Sequence, residues 1–230
     1  MNKFSAYILL VLVFLGLSKS FSPSEQRVPF IENEHVYSNY FQGAPLEVIL
    51  VDYFKAGFIL KTYFHRYKII HGFKNPEFIT VRVSKKFWMK NRDHMGMSLF
   101  RRREMDNSES FLPLPPGSLF FGDPSFGYWE ENKQNTQTTN KVWSFHRAYK
   151  HFPSHFGWEE FKPTQDFYRD LTIHIAKDKP FFGSNHEFGS KSNQVKKTYS
   201  KSKIFNPVER IHFKELVNRF ISAPWRNKEK

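Results

Sequence analysis

The chain has no cysteine. That excludes a disulfide framework, a thiol nucleophile, thiolate metal ligands and a lipoprotein anchor. Phosphate-cradling glycine motifs are also missing, as are the G-x-S-x-G and S-x-x-K patterns of serine catalysis. No internal repeat of fixed period is present. Long apolar runs are scarce as well. Leu46 to Ile70 comes nearest among the later segments, but Asp52, Lys55, Lys61, Arg66 and Lys68 interrupt it. It does not read as a membrane span.

One apolar run does stand out. Ala6 to Leu17, AYILLVLVFLGL, follows Lys3 and precedes the small residues Ser18, Ser20 and Ser22. This is the three-part layout of a secretory signal peptide over residues 1–22. A run of roughly a dozen residues is shorter than the ~20 that a spanning helix needs. Cleavage after Ser20 leaves Phe21 at the mature start, and cleavage after Ser22 leaves Pro23. The expected product is periplasmic or secreted, with no transmembrane anchor once the signal is removed.

Charge is lopsided. The net charge is +13, and Lys55–Arg103 carries 13 Lys and Arg against Glu77 and Asp93 alone. The stretch from Glu104 to Asp170 is mildly acidic, and the remainder is basic again. Such a charge suits an anionic partner. Export, and the lack of any nucleic-acid motif, argue against nucleic acid. The expected partners are an anionic envelope polymer or glycan, or protein subunits of an envelope assembly.

Hydrophobic residues make up 40% of the chain and aromatics 18%, enough for a folded core built on rings. The expected class is α+β. Residues 23–44 read as an irregular N-terminal arm, 45–189 as the α+β domain, 190–204 as a solvated basic linker and 205–223 as a docked C-terminal helix. Within the domain, Leu46–Phe54, Phe58–Ile70 and Phe78–Ser84 read as an antiparallel meander, with a helix over Leu46–Ile70 as the alternative because its apolar residues lack a clean period. The centre, Pro113 to Trp158, mixes Gly, Pro and aromatics and reads as loop-rich. There Lys141–Tyr149 either pairs back on Phe126–Trp129 or forms a short helix. Thr164 opens a helix carrying Phe167, Leu171 and Ile175 on one face, although Leu171, Ile173 and Ile175 also alternate as a strand does. Asn206, Pro207 and Glu209 begin the last helix.

Three constellations carry possible chemistry. Trp129, Trp143 and Trp158, with Arg101, Arg102 and Arg103, are the candidate binding residues: indole faces for sugar rings, guanidinium groups for anions. Each has a structural counter-reading, as core or as solvated loop. Glu159 and Asp166 are the candidate acid and base of a glycan hydrolase acting on glycosides or peptidoglycan. His146, His151 and His155 are the candidate zinc ligands, although Pro153 breaks their helical spacing and no Glu follows His151. No cofactor is expected. The leading expectation is a non-catalytic binding or structural protein of the envelope, with the hydrolase as the alternative.

Overall fold

The structure, a computed structural model, describes residues 3–21, 28–57, 61–72, 74–131, 140–158 and 160–202. Helix α1 (Lys3–Phe21) holds the apolar run, and its Phe4–Phe14 side chains are exposed. Among the described residues no helix is long and apolar enough to cross a membrane. The expected helix at 205–223 lies outside the described residues.

The fold is α+β, centred on a curled mixed sheet of six strands. The meander forms where alternation and the Asn75-Pro76 breaker place it. Strand β2 (Leu46–Ala56) pairs antiparallel with β3 (Thr62–His71), and β3 with β4 (Glu77–Val83). The arm before it is not irregular. Phe30–Ile31 is a short strand, β1, paired parallel to β4, and Val36–Tyr40 is a helix, α2. Tyr37 and Ile31 are fully buried, so two apolar side chains draw the arm onto the sheet. On the other side β5 (Ser98–Arg102) pairs with β2, and β6 (Glu109–Ser110) closes the order β1-β4-β3-β2-β5-β6.

Each face of this sheet carries its own core. On one, Leu46, Val48, Leu50, Tyr67, Val81 and Val83 pack under α2 and α3 (Lys85–Asn91). Ser84 caps α3, its hydroxyl accepting from Phe87 N at 3.1 Å. This core contains a buried polar chain: His65 Nδ1 lies 2.7 Å from Tyr67 Oη, which lies 2.7 Å from Tyr37 Oη.

The second core covers Ile49, Val51 and Ile70 with the aromatic centre of the chain. A hairpin of β7 (Gly127–Glu130) and β8 (Val142–Phe145) pairs Trp129 with Trp143, so the first part of Lys141–Tyr149 pairs back as strand and Arg147–Tyr149 forms a 3-10 turn. Helices α4 (Phe152–Phe156) and α5 (Gln165–Ala176) complete the layer. Thr164 caps α5 as its sequence predicts, and Phe167 and Leu171 are buried. Ile175 is not part of that buried face; it is 45% exposed. The solvated linker expected from 190 onward also differs. Ser192 caps a short helix, α6 (Asn193–Thr198), whose Val195 is buried against Gly96. One valine among polar residues is enough to seat the turn.

The two layers join at a buried carboxylate. Glu47, on β2, is 0% exposed and accepts the Gly117 N–H on both oxygens, at 3.0 and 2.9 Å. Gly117 follows Pro115 and Pro116, and the Pro116 carbonyl accepts Trp158 Nε1 at 2.9 Å. Arg101 stands opposite Glu47 in the β2–β5 register, buried too. A methyl group on Gly117 would lie 2.6 Å from Trp158 Cζ2 and 2.7 Å from Phe156 Cδ2, at a φ of +83°. Gly117→Ala is therefore expected to destabilise the fold by about 2–4 kcal/mol, from overpacking and backbone strain together. Urea denaturation checks this.

Burial pushes the Glu47 carboxyl up to about 7 from 4.5, against the opposing pull of Arg101 and the Gly117 N–H. The fold thus favours protonated Glu47. That contribution is full below 4.5 and is lost as pH rises through about 7. Burial moves His65 the other way, from 6.5 down to about 3, so the fold favours the neutral ring and loses that contribution as pH falls below 6.5. The two slopes oppose each other in wild type. Against Glu47→Gln, wild type should gain about 3 kcal/mol of relative stability between about pH 8 and about pH 4. Denaturant midpoints of both proteins across that range measure it.

Candidate binding face on the open end of the sheet

The aromatic layer covers only one end of its sheet face. Its cover sits over Glu47, Ile49 and Ile70, while the far end, across β2, β3, β4 and β1, is open. Cross-strand register lays the side chains out in rows. Phe30, Arg82, Phe64 and Phe54 form one row across four strands. Thr80, Arg66 and Asp52 form the next, and Phe78, Lys68 and Ile49 the third. Successive rows are two residues apart, or roughly 7 Å along the strands.

Two rings on this face are large and exposed: Phe30 at 52% and Phe78 at 55%. Both carry cations. The Arg82 guanidinium lies 6.0 Å from the Phe30 centroid, and Arg66 and Lys68 lie 5.2 and 5.9 Å from that of Phe78. Behind them Phe54 stacks on Phe64 at 5.1 Å. Flat apolar surface below and positive charge above is an arrangement that attracts an anionic chain and packs its carbon skeleton. Burial lowers the Lys68 ammonium from its ordinary 10.5.

Asp52 pairs with Arg66 in the register and is only 5% exposed, so its charge lies below the surface of the face. A cleft of about 380 Å³ opens between Val51, Asp52, Arg66 and Phe78 on the sheet and Thr198–Ser202 at the end of α6 and beyond it. A second cleft, of about 500 Å³, lies across the sheet near α3. Its Glu34 and Glu109 are held in ion pairs, with Lys90 at 2.5 Å and Arg102 at 2.6 Å. Burial raises the Glu34 carboxyl, but the Lys90 hydrogen bond, its own backbone and the Lys90 charge outweigh that and hold it below the usual range.

The residues singled out from sequence lie elsewhere. Arg101 is buried and donates to the carbonyls of Ser98 and Leu112 and to Ser110 Oγ. Burial lowers it to about 10, so it stays charged at neutral pH. Arg102 donates to Glu109 and to the carbonyls of Ser38, Phe41 and Gly43. Both are internal ties rather than anion clamps on a loop; Arg103 alone of the three is exposed. Trp143 and Trp158 are core, at 4% and 2% exposed, and only Trp129 is partly open.

Asp166 sits in the first turn of α5, tied to Arg169 at 2.8 Å and Asn140 at 2.6 Å. Glu159 lies outside the described residues. His151 and His155 rings approach to 4.7 Å, but His146 is exposed and bonded to the Pro124 carbonyl. Among the described residues no three His, Asp or Glu side chains come together as a metal site. Burial, then the charges of His151 and Lys68, lower the His155 imidazole.

The open face escapes the sequence because it exists only in register. Alternation in FITVRVS does put Phe78, Thr80 and Arg82 on one side, which is the one local signal available.

Comparison with family models, with curated proteins and with solved structures finds no match.

The contrast between core and face predicts opposite mutational responses. Trp143→Ala should cost about 3–5 kcal/mol. Arg82→Gln and Phe78→Ala, at exposed positions, should stay within about 0.5 kcal/mol of wild type. Thermal or urea denaturation of the three variants provides the comparison.

Proposed function

We propose that this chain is exported and acts as a non-catalytic binding protein that holds an anionic polymer of the cell envelope on the open sheet face. The observation that carries the reading is the pair of cation-capped phenylalanines: Phe30 with Arg82, and Phe78 with Arg66 and Lys68. Rigid strands fix these groups before any partner arrives, which limits the ordering cost of binding. The apolar run of residues 6–17 and its serine-rich flank support export. Mass spectrometry of the exported protein should find Phe21 or Pro23 at its N-terminus, and an intact Met1 would remove that part of the reading.

Retention on immobilised polygalacturonate and on immobilised polyphosphate, each against neutral dextran, tests the face. Binding through three cations should weaken with salt at a log–log slope of about −2, by analogy with single-stranded polyelectrolytes. Arg66→Gln with Arg82→Gln should flatten that slope and cut retention by about tenfold or more at low salt. Arg103→Gln with Lys85→Gln, both exposed and off the face, serves as the matched charge control. Equal losses in the control and the double variant, or equal retention on dextran, would overturn the proposal.

A further inference from the structure

The geometry points to the cleft beside Phe78 as a phosphate subsite of this face; the inference rests on the binding reading above and names the chemistry of one ligand group. The cleft has a floor and a wall. Arg66 and Phe78 belong to the floor, on β3 and β4, and Thr198, which ends α6, with Lys201 and Ser202 beyond it, to the wall. The ring at the floor is the same Phe78 that carries Arg66 and Lys68, so the cleft continues the open face.

Residues that can donate line the cleft on both sides. Arg66 brings a guanidinium fork and Lys201, which is exposed, an ammonium. Ser202 Oγ is buried and has no hydrogen-bond partner among the described residues. Asp52 is the one carboxylate among the described residues that line it. It offsets one of the two cations, which leaves those residues a formal charge of +1. It lies opposite Arg66 in the register and is nearly buried, so it belongs to the floor and not to the wall.

The placement of basic and hydroxyl residues on both a floor and a wall selects the anion. A planar carboxylate is satisfied by one guanidinium fork lying in its own plane. A phosphate presents three acceptor oxygens in three directions and gains from donors on a floor and a wall at once. The volume of about 380 Å³ admits a phosphate together with the carbon unit that bears it.

Calorimetric titration of the full chain with pyrophosphate, and with malonate as the carboxylate probe, tests the assignment. Pyrophosphate should bind at least about tenfold more tightly than malonate. Lys201→Gln should weaken pyrophosphate about tenfold, whereas Arg82→Gln, outside the cleft, should change it less than about twofold. Circular dichroism confirms that each variant is folded. Equal binding of the two probes, equal effects of the two substitutions, or no pyrophosphate binding by wild type would overturn the subsite.

Failure of the two ideas is distinguishable. Polymer retention with Lys201-independent pyrophosphate binding sinks the subsite alone. Lys201-dependent pyrophosphate binding without polymer retention supports the subsite and sinks the extended face.

Discussion

A single buried carboxylate decides how the two layers of this protein meet. Glu47 has no solvent, so both its oxygens need donors. They take the Gly117 N–H, which fixes the Pro115-Pro116-Gly117 turn on the sheet. The same turn offers the Pro116 carbonyl to Trp158, one of the two tryptophans buried in the aromatic core. The link therefore runs from strand to turn to indole. Arg101, opposite in register, supplies the countercharge without which the carboxylate would stay neutral in the fold at still higher pH. Pinning the layer at the Glu47 end of the strands also determines where it stops, and so which part of the sheet remains open.

The two buried arginines explain why a strongly basic segment does not yield an equally basic loop. Four described carbonyl or carboxylate partners hold Arg102, two carbonyls and a serine hydroxyl hold Arg101, and the chain segments they join lie up to 64 positions apart. A guanidinium does this well because its planar fork carries five donors. Arg102 ties the stretch after α2 to the β5 edge, which the sequence offers as an unstructured arm. Charge that looked available for a partner is consumed in organising the fold. What remains on the surface is set by register instead.

Much of the fold was legible from residues alone. Alternation in Phe78–Ser84, breakers at Asn75-Pro76 and capping hydroxyls at Thr164 are local signals, and local geometry followed them. Signals spread across the chain were not legible. Trp129, Trp143 and Trp158 look equivalent in sequence, yet burial separates them: β7 and β8 set Trp129 beside Trp143 on one face, and Trp143 is buried in the core while Trp129 packs at its edge. The histidines at 146, 151 and 155 are close in sequence but are divided by a 3-10 turn at Arg147–Tyr149. Phe30 and Arg82 are distant in sequence and become neighbours only when β1 adds to β4. Val195 shows the limit in miniature: composition argued for a linker, and one side chain under Gly96 argued otherwise.

The open end of the sheet is a physical problem as well as an opportunity. An uncovered sheet face with exposed phenylalanines invites association with a second copy. Here each exposed ring has a cation over it, and three like charges, Arg66, Lys68 and Arg82, repel an identical face. The same charges do not repel a polyanion. One arrangement thus disfavours self-pairing and favours an oppositely charged chain, so selectivity needs no lid or moving part. Cation and ring are also coupled across neighbouring strands: removing the ring would leave Arg66 without its platform, and removing Arg66 would uncover more of the ring. Their effects on polymer binding should be less than additive, which separates a joint surface from two independent contacts.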